Sequence, residues 1–122
     1  MKWIGTEGKE NVWTGELLSC FVANASFCGG GMRVAPKDAL GDGQLHLRLL
    51  PKLSVPSQLM HLPKLYSDEI YKVEGSVVGQ TIQVEVAPTK GSIVQIDLDG
   101  ELSGRLPAAF GLSPTSLTVM RQ

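Results

Sequence analysis

Two glycine-bearing acidic turns, GGGMRVAPKDALGDGQL at Gly29 to Leu45 and IDLDGE at Ile96 to Glu101, stand among stretches in which apolar and polar residues alternate. Glycine lets the backbone reverse sharply, and a period of two places every second side chain on one face of a sheet. A helical domain needs apolar residues three and four apart instead, so the chain is constrained to a β scaffold that displays carboxylates at its turns.

The alternation can be followed along the chain. Leu45, Leu47 and Leu49 alternate with His46 and Arg48, which predicts a strand with one buried face and His46 pointing outward. Gly15 to Asn24 is apolar and aromatic without helical spacing and reads as a buried strand, and Met32 to Ala35 as a short extended piece ending before Pro36. Ile82, Val84 and Val86 share one face against Gln83 and Glu85, with Pro88 stopping the strand. Val94, Ile96 and Leu98 repeat that pattern, Asp99-Gly100 is a hairpin turn, and Leu117 to Val119 gives a last strand. Only Ser54 to Ser67 departs. Val55, Leu59, Leu62 and Tyr66 there predict a short amphipathic helix, started by Ser54 and Pro56 and broken at Pro63. Residues 1–14, with Trp3 and Trp13 among polar and glycine residues, read as a loosely patterned lead-in outside the core. The expected fold is mainly β, an antiparallel β-sandwich-like domain with one short helix, as a single domain over 1–122.

Composition narrows the function. A chain of 122 residues supports one core and not two, and 11 basic against 12 acidic side chains give no electrostatic reason for a nucleic-acid partner. The longest apolar run, Leu17 to Ala23, falls far short of the roughly 20 residues that cross a bilayer, which predicts no transmembrane segment. The start, Met1-Lys-Trp-Ile, has no secretory pattern, which predicts a cytoplasmic protein with Cys20 and Cys28 reduced. His46 and His61 do not complete a zinc spacing with them.

Taken singly, the motifs have plain readings. Gly29-Gly30-Gly31 lacks the Lys-Ser or Lys-Thr and the strand-loop-helix setting of a phosphate loop, and Asp99-Gly100 is a turn. His61 reads as a surface or partly packed residue, and Arg33 and Arg48 as solvating arginines on strands.

Taken in order, they carry more. Phe21-Val22-Ala23-Asn24, Gly29-Gly30-Gly31-Met32, Val34-Ala35-Pro36, Leu40-Gly41-Asp42-Gly43-Gln44-Leu45, Leu62-Pro63-Lys64-Leu65, Leu98-Asp99-Gly100-Glu101 and Pro107 form a succession. Over about residues 15 to 120 it resembles the carboxy-terminal domain of the diacylglycerol kinase and sphingosine kinase superfamily of lipid kinases. The resemblance implies that Glu101 is the general base on a lipid hydroxyl, with Asp99 as its orienting partner. It implies a structural magnesium site at Asp42, which uses carboxylate and backbone carbonyl oxygens suited to a hard cation. Gly41 stands where many members carry Asp or Asn, and Asp38 is the residue able to compensate. The amino-terminal half of such enzymes carries a Gly-Gly-Asp-Gly-Thr nucleotide motif, and these residues contain none. ATP is therefore expected to be handled by a nucleotide-binding domain supplied in cis or in trans. The lipid substrate would resemble diacylglycerol, and the chain by itself should be inactive. An unpaired sheet edge before Gly15 would favour a homodimer. The competing expectation is a free-standing, non-catalytic dimeric β module that binds a lipid, small molecule or protein.

Overall fold

The computed structural model describes residues 1–37, 39–67, 69, 73–89 and 91–115. Mainly β architecture is what these residues adopt, in several antiparallel sheets with one α-helix. The expected strand at Leu117 to Val119 lies outside the described residues.

One sheet contains β1 (Lys2–Ile4), β2 (Glu10–Val12), β8 (Gln83–Val86) and β11 (Ala108–Gly111), in the order β11-β8-β1-β2. A second contains β3 (Leu17–Ala23), β6 (Leu45–Pro51) and β7 (Val77–Thr81), with β6 in the middle. Two ribbons complete the strands: β4 (Phe27–Cys28) with β5 (Met32–Arg33), and β9 (Gln95–Leu98) with β10 (Glu101–Arg105).

The two larger sheets are joined by a corner. Thr81 ends β7 and Gln83 starts β8, and between them the chain leaves one sheet for the other, as strands do at the edges of sandwiches. Thr81 fixes this bend with a buried side chain whose Oγ1 donates to the Gln83 carbonyl at 2.6 Å and accepts from the Gln83 amide at 3.1 Å. Ile82, expected on the inner face with Val84, sits instead at the bend and is exposed. The alternation is reset there because the strand does not run straight through.

The core lies between the sheets. Trp3 and Val84 from one sheet meet Leu47 from the other, with Val22, Val77, Val86 and Phe110 packed around them. Gly79, opposite Leu47 in the β6–β7 register, makes room for the indole: a Cβ at that position would lie 2.9 Å from Trp3 Nε1. Residues 1–14 are therefore not a lead-in. Lys2 and Trp3 pair with Glu85 and Val84, and this pairing places the Trp3 indole at the centre of the core, with Trp13 packed against it.

Two further expectations are corrected at β6. His46 and Arg48, expected to face outward, are both buried, as is Arg33. The reason is that β6 is covered on both faces: the alternating leucines report only one of them. On the other, the Arg48 guanidinium donates to the Arg33 carbonyl at 3.4 Å, and His46 meets Asp42, so Arg33 and Asp42 are held against the strand.

The helix α1 (Val55–His61) starts after Ser54, with Pro56 in its first turn, and passes into a 3-10 turn over Leu62–Tyr66 where Pro63 interrupts the α-helical pattern. Ser54 occupies the capping position, but its side chain makes no capping hydrogen bond. No residue of the helix or the turn is buried, so the predicted amphipathic stripe is not its packing face.

Candidate functional site

The hairpin β9–β10 is built by its turn. Leu98 pairs with Glu101, leaving Asp99 and Gly100 as the two central residues, with φ of 53° and 93°. Positive φ at both positions belongs to the turn whose twist suits a two-residue hairpin, and Asp-Gly is the dipeptide that adopts it most readily. A second carboxylate, Asp97, ties the turn down: its Oδ1 accepts the Gly100 amide at 2.8 Å.

Glu101 is the first residue after this turn and is exposed. Asp99 and Glu101 make no side-chain hydrogen bond or ion pair with any partner among the described residues, so Glu101 presents both oxygens to solvent. Register separates the carboxylates by face. Asp97 lies opposite Leu102 and Glu101 opposite Leu98, and neighbouring positions of a strand point to opposite sides. Asp97 is thus a turn-holding residue on the reverse face from Glu101.

The glycine turn closes the other ribbon. Gly29, Gly30 and Gly31 all have positive φ and connect β4 to β5, with the Gly31 amide bonded to the Cys28 carbonyl at 3.1 Å. Burial first, and then the charge of Asp97, push the Cys28 thiol above its ordinary pKa.

Asp42 is a different kind of carboxylate. Its Oδ1 accepts the Gln44 amide at 2.9 Å and its Oδ2 lies 2.7 Å from His46 Nε2, so both oxygens are engaged. Burial pushes this carboxyl up, but the hydrogen bonds from His46 and the Gln44 amide outweigh it and leave Asp42 below its ordinary value. Asp38 lies outside the described residues. No group of three or more His, Cys, Asp or Glu positioned to hold a metal occurs among the described residues. Each Asp42 oxygen retains a further lone pair, so with the carbonyls of its turn the donor set is chemically suited to a hard cation, though it brings a single described carboxylate.

Two open grooves flank the core. One of about 350 Å³ is lined by Trp3, Asn11, Pro36, His46, Gly79 and Gln80 among others, and one of about 480 Å³ by Met1, Val12, Val86, Pro107 and Ala108 among others. Neither is lined by Glu101, Asp99 or Asp42.

Two residues at these sites were not anticipated. Asp97 carried a signal in the Asp-x-x-Gly spacing of a side-chain-capped turn. His46 carried none, because a histidine between leucines reads as the solvated side of a strand. No helix among the described residues is long and apolar enough to cross a membrane.

Comparison with known proteins extends the family resemblance toward the N-terminus. A family model described as the YegS C-terminal NAD kinase beta sandwich-like domain matches residues 3–121, which includes the β1–β2 hairpin. No curated protein and no solved structure matches the chain.

Proposed function

Because the chain belongs to the family of YegS C-terminal NAD kinase β-sandwich-like domains, we propose that it supplies the lipid-side half of an ATP-dependent lipid kinase. In this reading Glu101 takes the proton of a lipid hydroxyl, such as that of diacylglycerol. The hydroxyl oxygen attacks the γ-phosphorus, and the bond to the ADP oxygen breaks. Asp99 orients Glu101 through the turn they share. A nucleotide-binding domain, in cis or in trans, positions the ATP, because phosphoryl transfer depends on held phosphates as much as on a base.

The observation that carries the reading is the contrast between the carboxylates. Asp42 and Asp97 each accept hydrogen bonds from nearby residues, whereas Glu101 is exposed, makes no side-chain hydrogen bond or ion pair, and is fixed to a short turn with Asp97 as its anchor. Asp42 and the carbonyls of its loop would hold a magnesium ion, with Asp38 as a second carboxylate. Bound there, the ion supplies structural cross-linking of the loop and no chemistry at the phosphate.

The test is a reconstitution of the chain with a nucleotide-binding half, radiolabelled ATP and diacylglycerol in mixed micelles. Glu101→Gln is expected to lower kcat by about a hundredfold or more, with the melting curve unchanged because the residue is exposed. Full turnover in that variant, or sustained turnover by the 122 residues without the nucleotide half, overturns the proposal.

One feature favours the second reading, a non-catalytic dimeric module. Every residue of β10 is exposed, and a ribbon of two strands is marginal in water unless something covers it. Sedimentation of the purified chain separates the two: a tight dimer that shields this ribbon supports the module.

A further inference from the structure

One histidine is buried with half of its hydrogen-bonding capacity unused. His46 is 2% exposed, and its Nε2 lies 2.7 Å from Asp42 Oδ2. An ionised carboxylate only accepts, so Nε2 carries a proton and the ring is held in one orientation. The other nitrogen, Nδ1, makes no hydrogen bond among the described residues, yet it is not sealed from solvent. A ring so deeply buried meets solvent where it lines the groove of about 350 Å³ beside β7. Trp3 repeats the pattern. It is 9% exposed and lines the same groove, and its indole Nε1–H is likewise without a partner among the described residues and likewise not enclosed.

The strand β7 ties the two rings to neighbouring positions. Trp3 Nε1 lies over Gly79, where a Cβ would come within 2.9 Å of it, and register sets Gln80 directly opposite His46, so those two side chains are neighbours on one face. Among the described residues β7 pairs with β6 alone, so alternate N–H and C=O groups along its outer edge also open on the groove. The groups are mixed in role. Nε1 needs an acceptor, Nδ1 accepts while the ring is neutral and donates when it is charged, and the Gln80 amide and the strand edge do both. Charges nearly cancel, since Glu7 and Lys9 line the groove with one of each sign. A hydroxyl is donor and acceptor at once and carries no charge, so it answers every one of these groups, whereas a phosphate or carboxylate would meet Glu7 with a single lysine to offset it. Val78 and Pro36 add apolar wall for C–H faces. The volume falls at the lower end of small-molecule sites, about 300–1,000 Å³, and only three residues of β7 line it, which is short for a paired peptide strand.

We propose that the groove flanked by Trp3, His46 and Gln80 binds a neutral sugar ring, with hydroxyl groups on the indole Nε1–H and on His46 Nδ1. Asp42 is the positioning residue that holds the imidazole with Nδ1 toward the ligand. Glu101 and Asp99 line no part of this groove, so a sugar bound here is independent of the proposed phosphoryl transfer.

The experiment is titration of the isotope-labelled chain with glucose, and with octyl glucoside below its micellar concentration, followed through the two indole N–H resonances, which Trp13→Phe assigns. The Trp3 resonance is expected to move saturably at millimolar sugar, while that of Trp13, which does not line the groove, stays in place. Equal affinity for the two probes marks a free sugar as the ligand and tighter binding of the octyl form a lipid headgroup, and either supports the site. Gln80 is exposed, so its variants should melt as the wild type does. Gln80→Ala should weaken binding about threefold to tenfold through the lost hydrogen bond, and Gln80→Trp, which fills the groove, should abolish it. Absence of saturable movement with both sugars overturns the proposal, as does undiminished binding by Gln80→Trp. Movement with a sugar phosphate or with adenosine, but not with glucose, assigns the groove to an anion or a base and likewise overturns it.

Discussion

Cys20 and Asp42 show how burial and hydrogen bonding set the chemistry of single side chains in this domain. Burial pushes the Cys20 thiol up to about 11, because a thiolate would lose its hydration inside the strand β3. At pH near 8, alkylation of Cys20 by iodoacetamide is expected to run on the order of a hundredfold slower in the native chain than in urea, as followed by mass spectrometry. Native labelling as fast as that of the unfolded chain would contradict the packed thiol. Asp42 runs the other way. Its folded pKa lies below its unfolded value, so the carboxylate's contribution to stability is complete above the unfolded value of about 3.9 and is lost as pH falls through the lower folded value. Asp42→Ala leaves the buried His46 imidazole without that partner, and should cost about 1–3 kcal/mol at neutral pH. Urea midpoints taken from neutral pH to about pH 2 should show the difference between wild type and variant shrinking at the acid end.

Among the elements, the β9–β10 hairpin is the one whose local geometry bears on the proposed chemistry. A methyl group at Gly100 meets the penalty for a side chain at positive φ, so Gly100→Ala should destabilise the hairpin by about 1–2 kcal/mol. It should also lower turnover in the reconstituted kinase by displacing Glu101. Asp99→Asn is the informative companion, because asparagine tolerates the left-handed conformation while carrying no charge. Its melting curve should match the wild type, and its turnover should fall less than that of Glu101→Gln; a melting loss as large as that of Gly100→Ala would show that Asp99 acts through the turn alone. The corner at Thr81 is the other decisive element, since its two hydrogen bonds to Gln83 direct the chain out of one sheet and into the next.

At the scale of the whole molecule, the two sheets share one core, and Trp3 is its largest buried ring. Trp3→Ala should cost about 3–5 kcal/mol, and both sheets should lose stability together. Trp13 fluorescence and far-ultraviolet circular dichroism would then give coincident urea transitions, shifted from the wild type; separate transitions would show the sheets to be independent. Much of this architecture was written locally. The turn at Asp99-Gly100, the strand over Leu45 to Pro51 and the break of the helix at Pro63 follow from φ preferences and from a period of two or of 3.6, which neighbouring residues impose on one another. The place of Glu101 at the head of β10 was legible for the same reason, as the residue after a recognisable turn. What only tertiary structure decided is which surfaces are covered. Period two marks one apolar face of a strand and is silent on whether other residues close over the other, so His46 and Arg48 are interior residues where Asp42 and Arg33 meet them. Trp3 entered the core through strand pairing with distant Val84, and the helical stripe, legible as a stripe, faces outward because a helix's spacing fixes which residues align but not toward what.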